Sequence, residues 1–170
     1  MDTNRTVISA LANNHSGVLL RVVGLFARRG FNISSLTACE TEIPGISRMT
    51  IQAQGDERTM KQIARQLYKL EDIKKVLLLE PEMACSCELL LVKVCCHKSS
   101  RSRLLEILQS YGSCVLDIAD DCLTLESTGH PDKIDSLIEE LRPFRILEMA
   151  RTGLTALERG GGTIHSEDFA

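Results

Sequence analysis

Asn13-Asn14-His15-Ser16-Gly17-Val18-Leu19-Leu20-Arg21-Val22-Val23-Gly24-Leu25-Phe26-Ala27-Arg28-Arg29-Gly30-Phe31-Asn32-Ile33 is the stretch that decides the fold. It follows an apolar run in which Val7, Ser9 and Leu11 alternate with Ile8, Ala10 and Ala12. Both faces of that run are apolar or small, as in a central, well-covered strand. After a polar turn, Leu19, Val22, Val23 and Phe26 fall at helical spacing and predict one buried stripe. Arg28 and Arg29 sit at the negative end of the helix dipole, and Gly30 supplies the positive φ that stops the helix. The turn sets backbone N–H groups and an amide side chain at a helix N-terminus, which suits the carboxylate of a small ligand. A plainer use of the same residues is structural: Asn14 or Ser16 caps the helix, and Gly17 permits close packing.

Working outward, residues 31–40 are rich in Ser and Thr and predict an edge or interface strand. Glu42-Ile43-Pro44-Gly45 is a turn. Met49, Ile51 and Ala53 then alternate with Arg48, Thr50 and Gln52, which predicts a strand with one wet face. Gly55-Asp56-Glu57 opens a second helix, with Met60, Ile63, Leu67 and Leu70 inward, and Ile73 to Leu79 is a fourth strand. The order β-α-β-β-α-β is the ferredoxin-like unit: a four-stranded antiparallel sheet with both helices on one face, of class α+β.

Glu80-Pro81-Glu82 breaks the pattern and marks a boundary. The second half repeats the architecture. Glu88 to Cys96 is a strand, and Arg103 to Tyr111 a helix. Cys114 to Ala119 and Cys122 to Ser127 pair through Asp120-Asp121. Asp132 to Arg142 is a helix begun by Pro131 and stopped by Pro143, and Arg145 to Ala150 is a last strand. The expected division is therefore two tandem ferredoxin-like domains, 1–80 and 84–159, with a disordered tail over 160–170. The segment from Gly153 to Arg159 is expected to form a short helix.

Composition narrows the class. With 44% hydrophobic and 25% charged residues in 170, the chain has the make-up of a folded soluble protein. No apolar run approaches the ~20 residues of a membrane span, and Met1 to Arg5 lacks the form of a secretory signal, so no membrane role is expected. A net charge of −3 gives no reason to expect nucleic acid. The seven cysteines, Cys39, Cys85, Cys87, Cys95, Cys96, Cys114 and Cys122, are odd in number and irregularly spaced. That argues for reduced thiols in the cytoplasm rather than a disulfide framework.

Few motifs carry chemistry. There is no phosphate-binding glycine loop and no nucleophile elbow. His15, His97, His130 and His165 are scattered without partners at metal or triad spacing. Cys85-Ser86-Cys87 and Cys95-Cys96-His97 raise a metal-carrier reading, but Cys85 and Cys87 are spaced more tightly than zinc sites use, and Cys95 and Cys96 alternate across a strand with at most one facing the core. No catalytic residue and no metal site are expected.

Asn14-His15-Ser16-Gly17-Val18-Leu19, then Gly24-Leu25-Phe26, then Arg29-Gly30-Phe31-Asn32-Ile33-Ser34-Ser35-Leu36, followed by Ser47-Arg48-Met49-Thr50-Ile51, resembles the ACT domain of acetohydroxyacid synthase (AHAS, or acetolactate synthase) regulatory small subunits. Gln66-Leu67-Tyr68-Lys69-Leu70 and Glu88-Leu89-Leu90-Leu91-Val92-Lys93-Val94 are similar to that family's second helix and to the strand opening its second domain. The segment Ala150-Arg151-Thr152-Gly153-Leu154-Thr155-Ala156-Leu157-Glu158-Arg159-Gly160 resembles its closing segment, so the resemblance spans residues 5–160.

The resemblance implies a non-catalytic regulatory subunit that activates a catalytic large subunit. It also implies feedback by a branched-chain amino acid, valine above all, in branched-chain amino-acid biosynthesis. ACT domains would pair into a homodimer and bind the effector at their interface. By position, Gly17, Val18 and Leu19 would offer backbone N–H groups to its carboxylate, Asn14 would hold polar groups, and Asn32 and Ile33 of the partner chain would complete the pocket. His15 joins this set as a departure, standing where the family carries an acidic residue. The stretch from Cys95 to Asp121 departs more broadly. Thiamine diphosphate, Mg²⁺ and FAD would belong to the catalytic chain, and no cofactor to this one. The rival reading is a freestanding ACT-type amino-acid sensor acting on another target.

Overall fold

A computed structural model describes residues 7–165 of the chain. The chain divides into two units: one runs through Cys85 and resumes at Leu154, and the other is Ser86–Gly153. Among the described residues, no helix is long and apolar enough to cross a membrane.

The first unit contains β1 (Val7–Asn13), α1 (Val18–Arg29), β2 (Ile33–Glu40), β3 (Ile46–Ala53), α2 (Glu57–Leu67) and β4 (Ile73–Leu79). Its antiparallel sheet has the order β2-β3-β1-β4, so β1 is central and β2 is an edge, as the sequence pattern predicts. The helices pack Val18, Val22, Leu25, Phe26, Met60, Ile63 and Leu67 onto Ile8, Ala10, Ala12, Met49 and Ile51 of one sheet face. Two positions of the predicted α1 stripe fall outside this core: Leu19 and Val23 are exposed, and Val18 and Leu25 take their places. Gly30 stops α1 with φ 68°, while Phe31 N donates to Phe26 O at 3.0 Å. At α2, Asp56 accepts from Thr59 N at 2.7 Å and caps the helix.

The other face of this sheet is where the sequence-based expectations fail. Val7 and Leu11 are joined there by Leu77, Leu79, Ala84, Leu154, Ala156 and Ile164 in a second apolar cluster. The expected helix after Gly153 is instead a strand, β9 (Thr155–Glu158; its number follows chain order), in which Ala156 is buried between exposed Thr155 and Leu157. Leu154 N donates to Ser35 Oγ at 2.9 Å, and Thr37 Oγ1 donates to Leu154 O at 2.9 Å. This segment therefore belongs to the first unit and not, as expected, to a domain ending at 159. It also dries the face of β3 that was expected to be wet. Thr50 and Gln52 share that face with Val7 and are buried, and Arg48 Nε donates to Ser9 Oγ at 2.9 Å. Ile164, placed in the expected tail, is buried in the same cluster. The expectation of disorder for 166–170 lies outside the described residues.

The second unit holds most of β5 (Ala84–Cys95), then α3 (Arg101–Ser110), β6 (Cys114–Ile118), β7 (Cys122–Gly129), α4 (Pro131–Leu141) and β8 (Ile146–Arg151). Its sheet order is β6-β7-β5-β8, antiparallel throughout. Leu90, Val92 and Val94 meet Leu104, Ile107, Leu108, Ile134, Leu137 and Leu141 of the helices in a separate core. Arg151, at the end of β8, binds the buried carboxylate of Glu88 at 2.6 Å and Asp135 of α4 at 2.6 Å. Both units thus carry the predicted βαββαβ order, two ferredoxin-like α+β folds in tandem.

Candidate functional site

The site forms where central strand β1 runs out and α1 begins. Asn13 N donates to Asp72 O at 2.9 Å and Asn14 N to Gly45 O at 2.8 Å, which fixes the exit of the strand. The chain then reverses at Gly17, whose φ of 87° is a conformation that an L residue adopts only with strain. No side chain caps the helix that follows. The capping expected from Asn14 or Ser16 is not made, because Asn14 is engaged elsewhere: its Nδ2 donates to Glu40 Oε1 at 2.7 Å, at the far end of β2. Arg21 N closes the first helical bond, onto Gly17 O at 3.0 Å, and Val18 N reaches His15 O at 3.5 Å. The next first-turn amides, Leu19 and Leu20, close no such bond onto His15 O or Ser16 O, four residues back. Their side chains stand exposed beside the turn, Leu19 at 45% and Leu20 at 76%.

A carboxylate holds this turn in place. Asp72 lies just before β4 and is 9% exposed. His15 Nε2 is 2.8 Å from its Oδ1, and the Arg21 guanidinium pairs with its Oδ2. Burial pushes the Asp72 carboxyl up, but hydrogen bonds and charge from Arg21 and His15 outweigh this and hold it below the usual carboxylate range. Asp72 therefore ties the β1 exit, the turn residue His15 and the first turn of α1 to one point. His15 Nδ1 also lies 3.1 Å from Ser16 O. The arrangement leaves helix-start amides without a side-chain cap at a fixed position, with exposed apolar side chains alongside: it can take a small anion that carries an apolar group.

Of the predicted site residues, Asn14, His15, Gly17, Val18 and Leu19 come together here. Val18 is an exception in its side chain, which is buried in the core. Asn32 and Ile33 are not brought to the turn within one chain. They follow α1, whose 12 residues span about 18 Å at 1.5 Å per residue. Asn32 is exposed there, with its carbonyl accepting from Gln54 N at 3.4 Å. Three residues of the assembly, Arg21, Glu40 and Asp72, escaped the sequence reading. Their pairing joins positions 26 and 51 or more residues apart, and no local pattern announces it. A hollow of about 860 Å³ along the charged face of α2, from Glu57 to Lys69, contains none of these residues. Among the described residues, no group of three or more His, Cys, Asp or Glu side chains is arranged to hold a metal.

With this geometry in hand, comparison with known proteins places the chain. The family described as "AHAS small subunit-like ACT domain" matches residues 8–75, and "Small subunit of acetolactate synthase" matches residues 87–160. The probable acetolactate synthase small subunit of Methanothermobacter thermautotrophicus is 47% identical over 165 residues, 96% of this chain and 98% of that protein. The acetolactate synthase small subunit of Haemophilus influenzae is 40% identical over 157 residues, 92% of this chain and 96% of that one. The crystal structure of the acetolactate synthase small subunit from Thermotoga maritima superposes with a TM-score of 0.88 at 35% identity, covering 93% of this chain and 99% of that chain. The chain belongs to the acetolactate synthase small-subunit family, and its first unit is an ACT domain.

Proposed function

We propose that this chain is the non-catalytic regulatory subunit of an acetolactate synthase: it activates a catalytic large subunit and binds a branched-chain amino acid, valine first, as feedback inhibitor at the Gly17 turn. The observation that carries the reading is the uncapped start of α1, with its amides open and its position fixed by Asp72. A helix start of this kind favours a carboxylate, and exposed Leu19 and Leu20 favour an aliphatic side chain beside it.

The pocket would be completed by a second copy. β2 is an edge strand, and Asn14 binds Glu40 at its C-terminal end. An antiparallel β2–β2 pairing between two copies would lay the start of one β2, with Asn32 and Ile33, beside the end of the other, next to Asn14 and the Gly17 turn. Dimerisation and effector binding would then be coupled, each favouring the other by the same factor. The catalytic chain would carry thiamine diphosphate, Mg²⁺ and FAD, and both chains would work in the cytoplasm.

Reconstitution tests this. The chain mixed with a catalytic large subunit of acetolactate synthase should raise its activity, and valine should lower the raised activity. No change on mixing, together with no co-purification of the two chains, would favour a freestanding amino-acid sensor.

A further inference from the structure

We infer that Cys95 and Cys122 form a site of reversible thiol oxidation, closing to one intramolecular disulfide by exchange with a small-molecule disulfide such as oxidised glutathione. The inference goes beyond effector binding and is independent of it. Three facts about the second sheet carry it.

The first is register. Cys95 of β5 lies directly across from Cys122 of β7. Two other exposed strand cysteines lack such a neighbour: Cys39 faces Arg48, and Cys114 faces Glu126. Cys96 points into the core and is buried. The second is hydrogen-bond direction. Cys95 N donates away from β7, to Arg145 O at 3.0 Å, while Cys122 O accepts on the far side, from Ala119 N at 2.9 Å. Cys96 N, one residue on, donates to Asp121 O across the β5–β7 pair at 2.8 Å. Cys95 and Cys122 are therefore a non-hydrogen-bonded pair, the antiparallel position at which Cα atoms approach to about 4.5 Å and side chains lie closest. A disulfide needs Cα atoms roughly 4.4–6.8 Å apart. The third is access. Both thiols are partly exposed, and His97 Nε2 stands 3.9 Å from Cys95 Sγ.

The chemistry balances as two exchanges. Cys95 sulfur, its proton passing to the imidazole of His97, attacks one sulfur of the small disulfide and displaces a thiolate. The Cys122 thiolate then attacks Cys95 sulfur and displaces the second. Two protein thiols are oxidised, one disulfide is reduced to two thiols, and the two protons end on those thiols. The product staples the end of β5 to the start of β7, beside the loop that leads into α3.

The test uses the full chain, reduced, desalted and incubated with oxidised glutathione, then alkylated under denaturing conditions and read by intact mass and peptide mapping. The expected product has lost two hydrogen atoms, links Cys95 to Cys122, and reverts with dithiothreitol. Cys95→Ser and Cys122→Ser should each remove the link, whereas Cys96→Ser and Cys114→Ser should leave it. His97→Gln should slow closure severalfold without changing the pairing. Alkylation of both Cys95 and Cys122 after oxidation would overturn the inference. So would a lasting glutathione adduct on either with no internal link, or a link joining another pair.

Discussion

The two units repeat one topology, and each has a turn between its first strand and first helix, yet the two turns are built differently. In the first unit the turn reverses at Gly17 with φ 87°, leaves α1 uncapped, and is tied to Asp72 through His15 and Arg21. In the second unit the equivalent turn runs from Cys96 to Ser100 and has no residue with positive φ. Ser100 instead folds it onto itself: its N and Oγ both donate to His97 O, at 3.0 and 3.1 Å. Arg101, at the start of α3, donates to Ala119 O at 3.2 Å and pairs with no carboxylate among the described residues. A repeated fold therefore does not repeat a site. What distinguishes the first turn is a glycine able to reverse the chain and a buried carboxylate that holds the result still.

The sharpest way to break this contrast is Gly17→Asp. A Cβ there meets Arg21 Nη1 at 3.5 Å, an ordinary contact. The positive φ costs an L residue about 1–2 kcal/mol, which a folded domain survives. The new carboxylate would stand where the proposed site holds an effector's carboxylate, so on that proposal effector inhibition should vanish while far-ultraviolet circular dichroism is unchanged. Retained inhibition would remove Gly17 from the site.

Asp72→Asn should have the next largest effect. The amide keeps the shape but gives up the charge that holds His15 and Arg21. Effector affinity should fall about tenfold, equivalent to roughly 1.4 kcal/mol, with activation of the catalytic subunit kept. The pH dependence of stability gives a milder test of the same tie. Because the Asp72 carboxyl titrates below its ordinary value in the folded chain, its contribution is fully present above about pH 4 and is lost as pH falls through the lowered value. The stability gap between wild type and Asp72→Asn, measured by urea unfolding, should narrow below about pH 4. Ser100→Ala in the second turn should do least: at most about 0.5 kcal/mol of stability and no change in effector response.

The two turns also mark what the sequence makes legible. Element order is local information: apolar stripes, Gly30 after two arginines, and Pro131 and Pro143 flanking a helix leave little choice of boundary. Gly17 is legible for the same reason, since a glycine at the head of an apolar helix has few uses. The rest is decided at a distance. Asp72 reads as one acid in a turn until β4 brings it under α1. Thr50 and Gln52 read as solvent-facing until Leu154, Ala156 and Ile164 cover their sheet face. That return depends on Ser35 and Thr37, 119 and 117 residues earlier than Leu154, and Leu154-Thr155-Ala156-Leu157 taken alone fits a helix as well as a strand. Exposed Leu19 and Val23 fall in the predicted stripe because spacing counts apolar residues and does not say which edge of the stripe faces away.

The central claim, that the Gly17 turn binds a branched-chain amino acid in a pocket shared by two copies, is tested most directly by titration calorimetry of the purified chain with valine, leucine and isoleucine. The account predicts saturable heat with at least one of them, a tighter dimer in the presence of that ligand by sedimentation, and no heat in Gly17→Asp. No heat with any of the three, or the same heat in Gly17→Asp, would contradict it.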